Sequence, residues 1–130
     1  MEYELAPDIQ EKANDIVIKL NMNHISPGDF VCMRSYGSSS RGTIARCHGM
    51  AKVMQLALKI KPIYVLEFLN KRFDKMDEKD KTKVIIHELM HIPKNMGGGF
   101  RHHDYVTDRE VTVLYARYIG ALPSTSLDNY

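Results

Sequence analysis

Lys79-Asp80-Lys81-Thr82-Lys83-Val84-Ile85-Ile86-His87-Glu88-Leu89-Met90-His91-Ile92-Pro93 is the stretch that decides the fold of this chain. Val84, Ile85, Leu89 and Ile92 recur at helical spacing and make an apolar stripe. Asp77 suits the N-cap, and Glu78 and Asp80 place acids in the first turn, where the helix dipole favours them. Pro93 lacks a backbone donor and disfavours helix at the residue before it. The pattern predicts a helix over 78–92 that stops just after His91. Within it, His87-Glu88-Leu89-Met90-His91 reads H-E-x-x-H. Positions four apart share one helix face, so both imidazoles can reach a single Zn²⁺ at about 2.0–2.1 Å. Glu88 then points to the side, where it can hold a water on the metal without binding the metal itself.

A catalytic zinc takes three protein ligands and keeps one position open. Four of the six histidines, His87, His91, His102 and His103, lie between 87 and 103. Gly97-Gly98-Gly99 lets the chain reverse after Pro93 and bring His102 and His103 back toward the helix. Glu110 competes for the third place, 19 residues after His91. On a last helix expected over 104–119, His103, Glu110, Leu114 and Tyr118 share a face with Val106 and Val111. An inward Glu110 needs a partner, either the metal or a ligand imidazole. His103 is the preferred third ligand, with His102 and Glu110 left open. Arg101, Tyr105, Tyr115 and Tyr118 are candidate oxyanion donors, Tyr118 and Arg101 foremost. Structural zinc sites favour thiolates, and Cys32 and Cys47 lie far from the motif and form no C-x-x-C. His24 and His48 carry no such context and read as surface or core residues.

The chain has 130 residues, enough for one core, so a single domain spans 1–130 with a polar, frayed tail from about 123. Pro7 opens a helix over 7–21, with Ile9, Ala13, Ile16, Val17 and Leu20 at its spacing. Phe30-Val31-Cys32-Met33 reads as a strand and Tyr36–Gly42 as a loop. Residues 43–59 fit two patterns. Val53, Leu56, Ala57 and Ile60 suit a helix, but a strand near 52–58 would pair with the β-rich run Ile63–Leu69 as a hairpin, and the strand is preferred. The fold class expected is α+β: a small sheet packed against the H-E-x-x-H helix, with N-terminal and C-terminal helices.

Net charge is +2, with no Lys/Arg block long enough for a basic footprint, so a nucleic-acid partner is not expected. No apolar run approaches the roughly 20 residues of a membrane span. No apolar stretch follows Met1-Glu2-Tyr3-Glu4, so no export signal is expected, and the expected compartment is the cytoplasm, with reduced thiols.

The run from Lys79 to Lys94, followed by Gly97-Gly98-Gly99-Phe100-Arg101-His102-His103, resembles a family of small zinc metallopeptidases from archaea, bacteria and their phages. In size the chain is similar to minimal zincins of the SprT-like kind. The resemblance covers roughly residues 43–118. It implies a zincin-like fold, a zinc cofactor and peptide-bond hydrolysis. In that family's pattern one histidine closes the segment at the place of His103, while proline often stands where this chain has His102.

A zinc-dependent peptidase is therefore the leading expectation, with Glu88 activating the water and an extended or unfolded peptide as substrate, added along a sheet edge near 52–69. Two other readings remain: a zinc hydrolase acting on RNA or another non-protein substrate, and a non-catalytic binding module held together by zinc.

Overall fold

The fold is given by a computed structural model that describes residues 1–99 and 106–120. The chain runs β1 (Glu2–Leu5), α1 (Pro7–Lys19), β2 (Phe30–Tyr36), β3 (Ala45–His48), α2 (Lys52–Leu58), β4 (Tyr64–Leu69), α3 (Asn70–Phe73), α4 (Glu78–Met90) and α5 (Asp108–Tyr118). This is a small α+β arrangement around one four-stranded mixed sheet, in the order β1-β2-β4-β3. β4 sits inside the sheet, parallel to β2 and antiparallel to β3. Its central place explains why Leu66, Glu67, Phe68 and Leu69 are all buried.

Side chains alternate across a strand. Phe30 and Cys32 on β2 and Tyr64, Leu66 and Phe68 on β4 supply one apolar face. Ile9, Ala13 and Ile16 of α1 and Ile85, Ile86 and Leu89 of α4 join them in a single core. Ile85, Leu89 and Ile92 of the predicted stripe are buried, together with Ile86, whereas Val84 is half-buried and faces a cleft. Arg34 ties the layers at one end. Its guanidinium grips both carboxylate oxygens of Asp8 at 2.7 Å and also reaches Asp74. That grip holds the Asp8 carboxyl down at about 2.

The helix over 7–21 forms as α1 but stops at Lys19. The strand at 30–33 extends to Tyr36. β1 has no signal in the sequence reading, because all four of its residues are exposed. The expected strand at 52–58 is a correction. It is the helix α2, and no hairpin spans 52–69. The partner of β4 on that side is β3, with Cys47 opposite Leu66. The helical period of Val53, Leu56 and Ala57 was the true signal, but its apolar face is turned outward.

Candidate metal centre

Asp77 caps α4 as its sequence predicts. Its side chain accepts from the Asp80 N–H at 2.8 Å. Thr82 Oγ1 donates to the Glu78 carbonyl, so its hydroxyl is satisfied inside the helix. The regular helix ends at Met90, and His91 is the C-cap with φ −70° and ψ −18°. That conformation is still right-handed helical, so His91 stays one turn beyond His87 on the same face. His24 Nε2–H donates to the Ile92 carbonyl at 3.1 Å, which satisfies a carbonyl that the helix end leaves without an intrahelical partner.

His87 Nε2 and His91 Nε2 lie 3.3 Å apart. This separation can be tested against zinc. Two nitrogens about 2.05 Å from one tetrahedral ion stand about 3.3 Å apart. The pair therefore fits a shared ion without moving. Glu88 Oε2 lies 4.0 Å from His87 Nε2, beside that position. The Glu88 side chain is buried, and burial pushes its carboxyl up to about 7. A carboxyl poised there can take or give a proton near neutral pH.

α4 faces the edge strand β3 across this site. On the N-terminal side of α4 a cleft of about 650 Å³ is lined by Ile44, Ala45, Val84, His87, Glu88 and Val111, among others. On the His91 side a second cleft of about 470 Å³ is lined by Ala45, Cys47, His48, His87, Glu88 and His91, among others. β3 therefore runs past both histidines, and among the described residues no strand pairs with its outer edge. Cys47 borders the second cleft, and burial pushes its thiol up to about 12, with Glu88 adding to the effect. A thiol held neutral in this way is a poor ligand.

Two features near the site were not singled out in the sequence. The first is an ion cluster of Arg46 and His48 on β3 around the buried Glu67 carboxylate. His48 Nε2 lies 2.8 Å from Glu67 Oε1, and Arg46 Nη1 lies 3.3 Å from Glu67 Oε2. Burial pushes the Glu67 carboxyl up, but the Ser35 hydroxyl, His48 and Arg46 together outweigh it and hold the group below its ordinary value. The i, i+2 spacing of Arg46 and His48 on a strand was the available clue. The second is a clasp between β3's exit and the chain after α4. Gln55 Nε2 donates to the Met50 and Gly97 carbonyls, both at 2.9 Å. The Tyr64 hydroxyl accepts from the Gly98 N–H at 3.0 Å and donates to the Gly99 carbonyl. Gly98 sits at φ +97°, and a Cβ there would lie 2.0 Å from the Met50 oxygen. A Cβ on Gly49 would lie 1.9 Å from the Gly98 oxygen. The triple glycine thus serves close backbone approach as well as reversal.

The remaining sequence candidates fall as follows. Arg101, His102, His103 and Tyr105 lie outside the described residues, as does the start of the helix expected at 104; α5 is described from Asp108. Glu110 is half-buried on α5, its N–H bonded to Thr107 Oγ1. Among the described residues, no group of three His, Cys, Asp or Glu side chains is placed to hold a metal ion, and this includes Glu110 and Cys47. Tyr118 points elsewhere. Its hydroxyl donates to Asp15 on α1 at 2.5 Å, and the cleft is lined by the N-terminal half of α5, through Asp108, Val111 and Thr112. The reason is distance along α5: two turns past Val111, the Tyr118 hydroxyl reaches Asp15 of α1. Tyr115 packs under Lys79 and Lys83. Among the described residues, no helix is long and apolar enough to cross a membrane.

No curated protein and no solved structure matches the chain. Residues 1–120 match the family described as "Putative phage metallopeptidase", and the chain belongs to that family.

Proposed function

We propose that the protein is a zinc-dependent peptidase with a zincin-like arrangement, in which His87 and His91 hold the metal and Glu88 is the general base. The observation that carries this is the 3.3 Å convergence of the two Nε2 atoms, with a buried carboxylate beside them. Family membership supports a metallopeptidase and a metal cofactor. His103 is the third ligand of this reading, with His102 and Glu110 as the alternatives.

A bound zinc supplies a water of pKa about 7 and polarises the scissile carbonyl. The chain's own residues do the rest. Glu88 takes the proton of the attacking water and delivers it to the departing amine nitrogen. Its burial keeps bulk water from competing for that proton. The free edge of β3 offers backbone donors and acceptors to an extended peptide, which adds as a strand and passes His87 and Glu88. Arg101 is the leading candidate for the oxyanion, with Tyr105 as the alternative, since the Tyr118 hydroxyl is engaged with Asp15.

The test is hydrolysis of an unfolded protein together with metal content. Wild type binds one zinc and cleaves. Glu88→Gln keeps the zinc and loses at least ~100-fold in kcat. Unchanged turnover in Glu88→Gln would remove the base from the mechanism.

A further inference from the structure

Helix α2 buries the wrong side of itself. Val53, Met54, Leu56 and Leu58 are 69%, 49%, 68% and 54% exposed, and Ile60 just beyond is 42% exposed. The buried residue of the helix is polar Gln55, which fastens it to the Met50 and Gly97 carbonyls. Half of the exposed large apolar side chains of the described residues fall in this one short segment. An apolar patch of this kind marks an interaction site.

The stretch of chain that carries this helix has charge of one sign. Between Asp29 and Glu67 the chain contains no acid, but it carries Arg34, Arg41, Arg46, Lys52, Lys59 and Lys61. Arg34 and Arg46 are neutralised by Asp8, Asp74 and Glu67. Among the described residues Lys52, Lys59 and Lys61 form no ion pair. They frame the apolar residues at both ends of α2. The complement is an apolar segment with acidic flanks.

The position of α2 identifies the occupant. β3 ends at His48, and only Gly49, Met50 and Ala51 separate it from α2. The four Cα steps from His48 to Lys52 span at most roughly 14 Å. A peptide added to the β3 edge advances about 3.4 Å per residue, so α2 lies within reach of a segment about four residues past His48. We propose that α2 is an exosite for the protein substrate, one that captures an apolar, acid-flanked segment of an unfolded chain whose neighbouring residues lie along β3. This rests on the peptidase reading of the cleft. A lipid surface fits less well. α2 follows the edge strand β3 within three residues, beside the clefts that the peptidase reading gives to a peptide.

The test uses the zinc-loaded full chain carrying Glu88→Gln, so that binding is read without turnover. The probes are a short peptide that spans the cleft alone and a longer one extended by a Leu-rich segment between Asp and Glu residues. Binding is followed by fluorescence anisotropy. Val53→Ser/Leu56→Ser/Leu58→Ser and, separately, Lys52→Glu/Lys59→Glu/Lys61→Glu should each weaken the long peptide roughly ten-fold, about one Kd decade. The short peptide should be unchanged in both. Because these side chains are exposed, thermal unfolding of the variants should match the parent, and a variant that unfolds early is replaced by the single Leu56→Ser. Long-peptide binding that ignores both sets of substitutions overturns the proposal. So does α2-dependent sedimentation with phosphatidylserine vesicles, or an α2-dependent dimer, when long-peptide binding is unaffected. Wild type that cleaves neither peptide while the α2-dependent binding persists overturns the peptidase reading alone.

Discussion

Glu88 makes a prediction that needs no substrate. In the metal-free protein, burial pushes its carboxyl from the ordinary 4.5 up to about 7. The unfolded chain releases this proton near 4.5, and the folded chain keeps it until about 7. Between those values the folded state binds more protons than the unfolded state, so stability falls as pH rises and levels off above 7. The full gap is about 2.5 pKa units, or about 3 kcal/mol. Glu88→Gln removes the ionisable group and keeps the shape. The variant should therefore be more stable than wild type by about 3 kcal/mol at pH 8, but by under about 1 kcal/mol at pH 5. The assay is urea unfolding of both proteins, stripped with chelator, at each pH. Equal midpoints at pH 8, or a difference that does not change with pH, would refute the argument that burial alone sets this carboxyl. Saturating zinc should shrink the pH-dependent part, because a cation beside the group favours its ionised form.

Four further outcomes follow from the geometry. His87→Ala and His91→Ala should each abolish zinc binding in equilibrium dialysis; His103→Ala should do the same, and full zinc retention there would remove His103 from the ligand set. Gly98→Ala should cost on the order of 3 kcal/mol, since it adds left-handed strain and a contact with the Met50 oxygen; thermal unfolding measures it. Leu89→Ala, at a fully buried position of α4, should cost about 2–5 kcal/mol in the same assay. Asp77→Ala should cost about 1 kcal/mol through loss of the Asp80 N–H bond.

Helix α4 was legible because its signals are local. Asp77, the Val84–Ile92 stripe and Pro93 act within one element, and His87 and His91 need only helical spacing to meet. The α+β class followed from the same reading. What escaped depends on contacts distant in sequence. Glu67 looks like an ordinary strand residue until β3 brings Arg46 and His48 to it. Tyr64 and Gln55 gain their roles from Gly97–Gly99, which stand more than 30 residues later. Tyr118 lies one turn past Leu114 at helical spacing, but there its hydroxyl meets Asp15 of α1 and not the cleft.

The misread strand at 52–58 shows a different limit. Hydrophobic periodicity gives the period of an element, but the inference from period to burial assumes that the apolar side is the inner side. In α2 the polar residue is inside, because the Gly97 and Met50 carbonyls need donors and Gln55 supplies them. A hydrogen bond of this kind contributes about 0.5–1.5 kcal/mol net, and the two that Gln55 makes hold this side of α2 against the chain leaving α4. With Gln55 fixed inward, the helical rotation puts Val53, Leu56 and Ala57 outward. The outward apolar face is thus a direct consequence of the clasp that joins β3 to the chain leaving α4. Loosening the clasp with Gln55→Ala should disturb both sides of that joint. It should weaken zinc binding on one side and change the presentation of α2 on the other, whereas the α2 serine substitutions should leave zinc affinity unchanged.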